Sequence, residues 1–217
     1  MSDLFPKWTN NLPRNIIIGA LLASTAVTAG VGYYFTPKYT RAGYQPIQSV
    51  AFPHDAHVTQ LGLDCRYCHS GVEKSWYSNI PATSVCMNCH NQVLKDDERL
   101  AAVRESAATG KPIPWVQIHK LPDYVYFNHA VHVNRGVSCV ECHGQINRMD
   151  ESYHAKPLSM SFCLDCHRDP AQHLRALDKI TDLDWKAPNE DMQRAGGRKL
   201  AHDWHVQSLQ NCSTCHR

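Results

Sequence analysis

The hydrophobic positions of this 217-residue chain are concentrated near its N-terminus. Residues 15–35 read NIIIGALLASTAVTAGVGYYF, which is 21 residues without a charge. At about 1.5 Å per residue, a helix of this length spans the roughly 30 Å hydrocarbon layer of a bilayer. Lys7 and Arg14 precede the run, and two tyrosines at its far end are typical of a membrane interface. We therefore predict a cytoplasmic segment over 1–14 and one transmembrane helix over 15–35.

A cleavable secretory signal is the alternative for the same segment. Residues 27–29 (Val-Thr-Ala) form a passable cleavage site, but the apolar run exceeds a usual h-region, which favours an uncleaved signal anchor. The anchor would hold residues 36–217 on the periplasmic side of a bacterial cytoplasmic membrane. Small residues recur at three- and four-residue intervals along this helix and favour packing against other membrane helices. These residues are Gly19, Ala23, Ala26 and Gly30.

After residue 36 the pattern changes to short amphipathic stretches between polar segments. Residues 92–109 carry hydrophobic side chains at helical spacing and end in a glycine and a proline, which predicts a surface helix of about 15 residues. Asp169 followed by Pro170 predicts a shorter helix that runs to about Ile180. Residues 188–197 are polar and contain two adjacent glycines, which predicts a connecting loop.

All ten cysteines belong to five Cys-x-x-Cys-His motifs. In a c-type haem site the two cysteines form thioethers with the porphyrin and the histidine ligates the iron. A lone Cys-x-x-Cys could instead belong to a zinc site, a redox pair or a disulfide, but none of these requires a histidine directly after every pair. The motifs therefore predict five covalently bound c-type haems. The attachment residues are Cys65, Cys68, Cys86, Cys89, Cys139, Cys142, Cys163, Cys166, Cys212 and Cys215, and the proximal iron ligands are His69, His90, His143, His167 and His216.

Nine further histidines are available as second axial ligands, which low-spin haems require. Six of them form three copies of a His-x-x-His-Val repeat, and each copy precedes a Cys-x-x-Cys-His motif. The first histidine of each copy stands 10 or 11 residues before the next cysteine. The first two copies also carry a phenylalanine two residues before this histidine. The copies are His54–Val58 with Phe52, His129–Val133 with Phe127, and His202–Val206.

The repeat and its following motif resemble the small class III multihaem cytochromes. This resemblance implies that the first histidine of each copy ligates the haem of the next motif. His54, His129 and His202 would then serve the first, third and fifth haems. The second histidines would be available to the second and fourth haems, whose motifs lack the repeat. These second histidines are His57, His132 and His205.

Other side chains are further candidates for the second and fourth haems. His119 is one of them, with a surface-loop position as the alternative. His154 and His173 lie outside the repeated context and are weaker candidates. Met149 and Met160 stand before the fourth motif and could supply a thioether ligand, although we favour their packing against a porphyrin.

The spacing of the motifs also indicates the fold class. Residues 45–217 provide roughly 35 residues per haem, too few to enclose each haem in its own core. We expect a mostly irregular chain with short α-helices, wrapped around five haems that form much of the core, and no folding without haem. The predicted organisation is two two-haem units, at 45–91 and 123–167, followed by a single-haem tail at 201–217.

Composition bears on the partners and on catalysis. The formal net charge is +2, and ionised haem propionates would make it negative, so nothing indicates a nucleic-acid partner. A multihaem catalyst that reduces nitrite, hydroxylamine or a sulfur oxyanion needs an open iron position, often marked by lysine in place of the motif histidine. No motif in this sequence has that lysine. We therefore predict no catalytic residue in this chain.

The run HKLPDYVYFNHAVHVNRGVSC over residues 119–139, with the N-terminal helix and the five motifs, looks like the pentahaem cytochrome subunit of alternative complex III. This resemblance covers essentially the whole chain. It implies an electron-transfer subunit of a bacterial quinol:electron acceptor oxidoreductase. The implied partners are a multi-span quinol-binding subunit, an iron-sulfur or molybdopterin-like subunit and a monohaem cytochrome. The implied electron acceptor is a periplasmic cytochrome, a blue copper protein or an oxidase.

A stand-alone, membrane-anchored multihaem quinol dehydrogenase that feeds a periplasmic reductase is the alternative. Such cytochromes tend to carry four haems and, in one branch, a methionine just after the first motif. In this chain His69 is followed by Ser70 and Gly71, which disfavours that branch.

Overall fold

The N-terminal hydrophobic segment forms a helix of its own in the computed structural model, which describes residues 5–35 and 41–216. A 3₁₀ turn at Lys7–Asn11 leads into helix α1, Leu12–Phe35. This helix is long and apolar enough to cross a membrane, a property that a signal sequence shares. The chain divides into this N-terminal unit, up to Arg41, and a larger unit that starts at Ala42. The predicted boundary at residue 36 lies outside the described residues.

The larger unit consists of short helices joined by irregular segments, as expected for its fold class. The described residues contain no β-strand, and two isolated bridges join Val125 to His216 and Val137 to Leu174. A π-helical turn spans Ala56–Gln60. The α-helices are α2 (Cys65–Cys68), α3 (Thr83–His90), α4 (Ala101–Thr109), α5 (His129–Val133), α6 (Cys139–His143), α7 (Met160–Arg168), α8 (Glu190–Asp203) and α9 (Cys212–Cys215).

Helix α4 is shorter than the sequence predicts. It begins at Ala101 after a 3₁₀ turn, Glu98–Leu100, instead of near residue 92. Leu94 has a positive φ of 52°, which interrupts a right-handed helix, and the Asp97 carboxylate accepts the backbone N–H of Arg99 at 2.9 Å. The helix ends where predicted, at Gly110 in the left-handed conformation.

The predictions for residues 169–197 were wrong in two places. The expected helix from Asp169 is two separate 3₁₀ turns, Pro170–Gln172 and Leu177–Lys179. Asp169 does not cap with its side chain and instead pairs with Arg194 at 2.5 Å. The expected loop at 188–197 is mostly the first half of α8. Asn189 caps this helix, because its side-chain oxygen accepts the backbone N–H of Met192 at 2.8 Å.

The glycine pair that suggested a loop lies inside α8. A Cβ at Gly197 would overlap the carbonyl oxygen of Ala171, whereas a Cβ at Gly196 would meet nothing within 4 Å. Gly197 therefore permits the close approach of α8 to the 3₁₀ turn at Pro170–Gln172. A glycine is required at position 197 because of this close contact, and not because the backbone there must be flexible.

The protein itself contributes a small hydrophobic core. Val50, Val103 and Ile113 form one buried cluster, against which partly buried Cys86 and Trp115 pack. The remaining buried apolar residues in the described part of the chain are Val133, Met149, Ala171, Leu174, Ile180 and Leu183. This is little apolar burial for a unit of this length, and the first cluster lies directly beside the second Cys-x-x-Cys-His motif.

Candidate haem-binding site

Each of the five Cys-x-x-Cys-His motifs forms or ends a short helix. The motifs coincide with α2, the end of α3, α6, the end of α7, and α9. Cysteines three residues apart on a helix lie on the same face, so both thiols of a motif can reach one planar group. None of the ten cysteines forms a disulfide. Within the described ranges, no group of three or more His, Cys, Asp or Glu side chains converges as a site for a bare metal ion would require.

Two motif histidines are held by hydrogen bonds between Nδ1 and a backbone carbonyl oxygen. His69 places Nδ1 2.7 Å from the carbonyl oxygen of Asn79, and His90 places Nδ1 2.9 Å from that of Val93. A ring nitrogen beside a carbonyl oxygen carries the proton, which leaves Nε2 unprotonated for a metal. The acceptors are backbone atoms, so no side-chain signal in the sequence could have identified them.

The first two repeats have the same local geometry. In each, the Nδ1 atom of the second histidine lies 2.8 Å from the carbonyl oxygen four residues earlier. The Phe52 ring stacks on His57 with centroids 4.3 Å apart at 24°, and Phe127 stacks on His132 with centroids 4.7 Å apart at 25°. The same phenylalanines meet the first histidine of their repeat edge-on, at 85° in both copies. In each of the first two repeats, one phenylalanine therefore contacts both histidines.

Three pairs of histidine rings have the spacing of two ligands on one iron. Two imidazoles that bind a metal through Nε2 at about 2 Å each have ring centroids about 6 Å apart. The observed separations are 6.2 Å for His57 and His90, 6.4 Å for His129 and His143, and 6.2 Å for His132 and His167. Each pair joins a repeat histidine to a motif histidine. The geometry of each pair fits one bis-histidine haem.

His54 lies near the first motif. The Nδ1 atom of His54 is 2.9 Å from the Ser152 hydroxyl, which holds the ring in place. Burial, together with the nearby His69 and His57, lowers the pKa of His54 to about 4. The ring is therefore neutral at pH 7, as an iron ligand must be.

The histidines around the third motif are also kept neutral. Burial is the main reason that the pKa of His143 falls to about 3, and the neighbouring His119 and His129 lower it further. Burial also lowers the pKa of His129 and of His132. Desolvation disfavours the imidazolium form, so these rings keep an unprotonated nitrogen across the physiological pH range.

The third repeat does not share the geometry of the other two. His202 lies near the end of α8 with its side chain 88% exposed and Nδ1 3.4 Å from an Asp203 oxygen. His205 has a positive φ of 52°. The ring of His216 lies 5.7 Å from that of Tyr124. The exposed His202 side chain therefore does not lie against the fifth motif in the way that His129 lies against His143 of the third motif.

The other candidate ligands lie in different environments. His119 places Nε2 3.3 Å from Nδ1 of His143, and the fully buried His154 has its ring 5.1 Å from that of His119. Met149 is buried, and Met160, at the start of α7, is 67% exposed.

Sequence reasoning missed an ionic cluster beside the third motif. His173 places Nδ1 2.8 Å from a carboxylate oxygen of Glu141, and the mostly buried Arg175 approaches the other oxygen at 3.2 Å. Glu141 occupies one of the two x positions of the third Cys-x-x-Cys-His motif. The spacing of the motif therefore could not predict that Glu141 pairs with His173 and Arg175.

The five motifs follow an order in space that differs from their order in the chain. Cysteines of different motifs lie near one another in four places: Cys86 and Cys68, Cys65 and Cys139, Cys142 and Cys166, and Cys163 and Cys215. Backbone and side-chain hydrogen bonds support the same neighbours. Asn88 donates to Tyr67 at 3.0 Å, and Ser208 donates to the carbonyl oxygen of His167 at 2.5 Å. The sequence of neighbours is second, first, third, fourth, fifth.

Two cytochrome families match separate parts of the chain. Residues 131–217 match the family described as cytochrome c3, and residues 50–108 match cytochrome c7 and related cytochrome c. Both families carry covalent c-type haem, as the motifs predict.

Whole-protein relatives extend this similarity. The chain is 30% identical over 173 residues to the menaquinone reductase multiheme cytochrome c subunit of Nitratidesulfovibrio vulgaris, which covers 79% of this chain and 69% of the relative. It is 28% identical over 113 residues to the acrylate reductase cytochrome subunit of Shewanella woodyi, which covers 52% and 70%. A cytochrome c-552 of Desulfotalea psychrophila is 24% identical over 67% of this chain and 38% of its own length. The chain belongs to the multihaem c-type cytochrome family that includes the menaquinone reductase subunit.

Proposed function

We propose that this protein carries five covalently bound c-type haems and transfers electrons between partners in a membrane complex. The observation that carries the proposal is the set of three histidine pairs with ring centroids 6.2 to 6.4 Å apart, each of which joins a repeat to a motif. Bound haem supplies one-electron redox chemistry at its iron. The residues of this chain would hold each haem in position, and its histidines would bind the iron and exclude other ligands.

The proposed ligand set follows from these pairs and from the motifs. The five motifs supply the thioether cysteines and the proximal histidines. His57 and His132 serve the second and fourth haems, because they lie beside His90 and His167. His54 and His129 serve the first and third haems. His202 serves the fifth haem by analogy of spacing, since it stands 10 residues before Cys212, as His129 does before Cys139.

The two-haem units at 45–91 and 123–167 and the tail at 201–217 are part of this proposal. The proximity of motif cysteines supports a continuous arrangement, because Cys65 of the first motif hydrogen-bonds with Cys139 of the third and Cys163 of the fourth lies near Cys215 of the fifth. The second and fifth motifs then stand at opposite ends of the series. We propose that electrons enter near one of these ends and leave near the other.

The complex we propose is a quinol:electron acceptor oxidoreductase of the alternative complex III type. Its partners would be a multi-span quinol-binding subunit, an iron-sulfur or molybdopterin-like subunit, a monohaem cytochrome and a periplasmic electron acceptor. The name of the relative from N. vulgaris associates that protein with menaquinone, which supports a quinone-linked role. Helix α1 would anchor the chain in the cytoplasmic membrane, with residues 36–217 on the periplasmic side.

The first test measures the number of attached haems and identifies the subunits that associate with the chain. The intact mass of the denatured chain should exceed 24.5 kDa by five covalent haems. After mild detergent extraction, native electrophoresis with haem staining should show the chain migrating with a multi-span membrane protein and an iron-sulfur subunit. A haem-positive band at the size of the chain alone, which is still reduced by quinol, would favour the stand-alone quinol dehydrogenase.

A further inference from the structure

The Nδ1 atom of His143 meets a side chain, whereas His69 and His90 use backbone carbonyl oxygens. The partner is Nε2 of His119 at 3.3 Å, and the two rings stand at 78° with centroids 4.4 Å apart. The two rings therefore meet in a T-shaped contact in which Nδ1 of His143 lies within hydrogen-bond distance of Nε2 of His119. A side-chain acceptor can be replaced by mutation, whereas a backbone carbonyl cannot.

The surroundings hold His119 in this position. The fully buried His154 lies beside it, with ring centroids 5.1 Å apart and the planes tilted by 35°. The neighbour proposed to share an iron with His143 is His129, whose ring lies 6.4 Å away and nearly parallel, at 9°. His143 thus meets His119 at Nδ1, and its proposed iron partner is the nearly parallel ring of His129.

We propose that His119 is a positioning residue for the third haem: it accepts the hydrogen bond of His143 Nδ1–H, fixes the plane of this ligand and increases its basicity. This inference rests on the proposed ligation of one iron by His143 and His129. A hydrogen bond from the distant nitrogen of a ligating imidazole makes the ligand a stronger electron donor. A stronger donor stabilises ferric iron, so His119 lowers the reduction potential of this haem.

This role differs from the iron ligation that the sequence predicts for His119. The same Nε2 atom cannot accept a hydrogen bond from His143 and bind a second iron. The two roles have different spectroscopic consequences, since loss of an axial ligand produces a high-spin haem and loss of a hydrogen-bond acceptor does not.

The test uses the full-length holoprotein, or the complex that contains it, with His119→Leu and His119→Gln. His119→Leu should keep the haem number and leave every haem low-spin in electron paramagnetic resonance, while one reduction potential in a redox titration moves upward. His119→Gln offers an amide oxygen as acceptor and should restore most of that potential. Val116→Ala, at a partly exposed position of the same segment, is the matched control and should change nothing.

Two results would overturn the inference. A high-spin haem in both His119 variants would identify His119 as an axial ligand. Unchanged potentials in His119→Leu would show that the contact has no effect on the iron. Failure of the underlying ligand assignment is detected separately by His129→Ala, which should open one iron. If His129→Ala leaves every haem low-spin, the pairing of His129 with His143 is wrong, whatever the His119 variants show.

Discussion

The first two His-x-x-His-Val repeats and the third repeat share a sequence pattern but differ in structure. In the first two, a phenylalanine stacks on the second histidine, and that histidine lies about 6 Å from a motif histidine of a neighbouring segment. In the third, Leu200 stands where the phenylalanine would be, and the first histidine is on helix α8 with its side chain exposed. The repeated histidines alone do not determine the local fold, and the aromatic residue before them contributes to it.

The difference also reflects what surrounds each repeat. The second repeat is bound to the segment after the first motif, where the carbonyl oxygens of Ser75 and Trp76 accept the backbone N–H groups of Ala130 and His129. The third repeat continues from a 14-residue helix that packs on the 3₁₀ turn at Pro170–Gln172. A histidine at the end of such a helix takes its direction from the packing of the helix.

Removal of a paired histidine should have the largest effect. His132→Ala deletes the ring 6.2 Å from His167 and should convert one haem from low-spin to high-spin while all haems stay attached. The spin state is read by electron paramagnetic resonance, and attachment by intact mass. Val131→Ala, an exposed neighbour, is the control. An unchanged low-spin spectrum for His132→Ala would contradict the pairing with His167.

The same substitution in the third repeat tests whether it works like the first two. We expect His202→Ala to open one iron, because the spacing of His202 to Cys212 equals that of His129 to Cys139. Haem binding would then turn this exposed ring toward the fifth motif. If only His205→Ala produces the high-spin signal, the third repeat uses its other histidine.

The adjacent glycines of α8 provide a pair of matched substitutions. Gly197→Ala should lower the free energy of unfolding by about 1–3 kcal/mol, since its Cβ would overlap the Ala171 carbonyl oxygen. Gly196→Ala has open space around its Cβ. This substitution should raise the free energy of unfolding by up to about 1 kcal/mol, because alanine has the higher helix propensity. The thermal unfolding midpoints of the two holoproteins should move in opposite directions. Equal shifts would mean that α8 does not pack on this turn.

Loss of the aromatic stack should have a smaller effect. Phe127→Leu keeps an apolar side chain but removes the ring that faces both His129 and His132, at a cost of about 0.5–1.5 kcal/mol. The haems should stay low-spin, while the g values of two of them shift because their imidazole planes turn. Leu200→Phe, which gives the third repeat the missing aromatic, is the converse substitution. Unchanged g values in Phe127→Leu would show that the phenylalanine does not orient the histidines.

The smallest expected effect concerns the residue before the first cysteine of a motif. Asp64 accepts the backbone N–H of Arg66 at 2.8 Å and pairs with its guanidinium, whereas Asn211 makes no side-chain cap on α9. The hydrogen bond from the Arg66 side chain is the main reason that the pKa of Asp64 falls to about 2. Asp64→Asn keeps a capping side chain and should cost about 0.2–1 kcal/mol, the range of an exposed ion pair.

The pH dependence of this effect has a defined sign. Because the folded-state pKa of Asp64 is below its ordinary value of 3.8, its charge stabilises the fold above pH 3.8. This contribution is lost as the pH falls from about 4 to about 2. The difference between the unfolding midpoints of the wild type and Asp64→Asn should shrink over that interval. A constant difference would show that the charge of Asp64 is not the cause.

The two errors over residues 169–197 have a common physical cause. Gly196 and Gly197 were taken for a loop, and Asp169 for a helix cap, because both patterns are local signals. In the structure Gly197 permits a helix to approach Ala171, and Asp169 pairs with Arg194 on that same helix. A contact between segments that are distant in sequence overrode the local preference in each case.

The sequence by itself determined the chemistry of this protein: covalent haem attachment from the Cys-x-x-Cys-His spacing, a surplus of histidines available as axial ligands, and an apolar helix long enough to cross a membrane. The tertiary structure decided which histidine meets which motif, since His57 lies beside His90 and His132 beside His167 across segments that no spacing rule connects. It also decided the order of the motifs and the acceptor at each Nδ1 atom. Motif chemistry depends on neighbours along the chain, whereas pairing and orientation depend on packing and on backbone atoms that are identical in every residue.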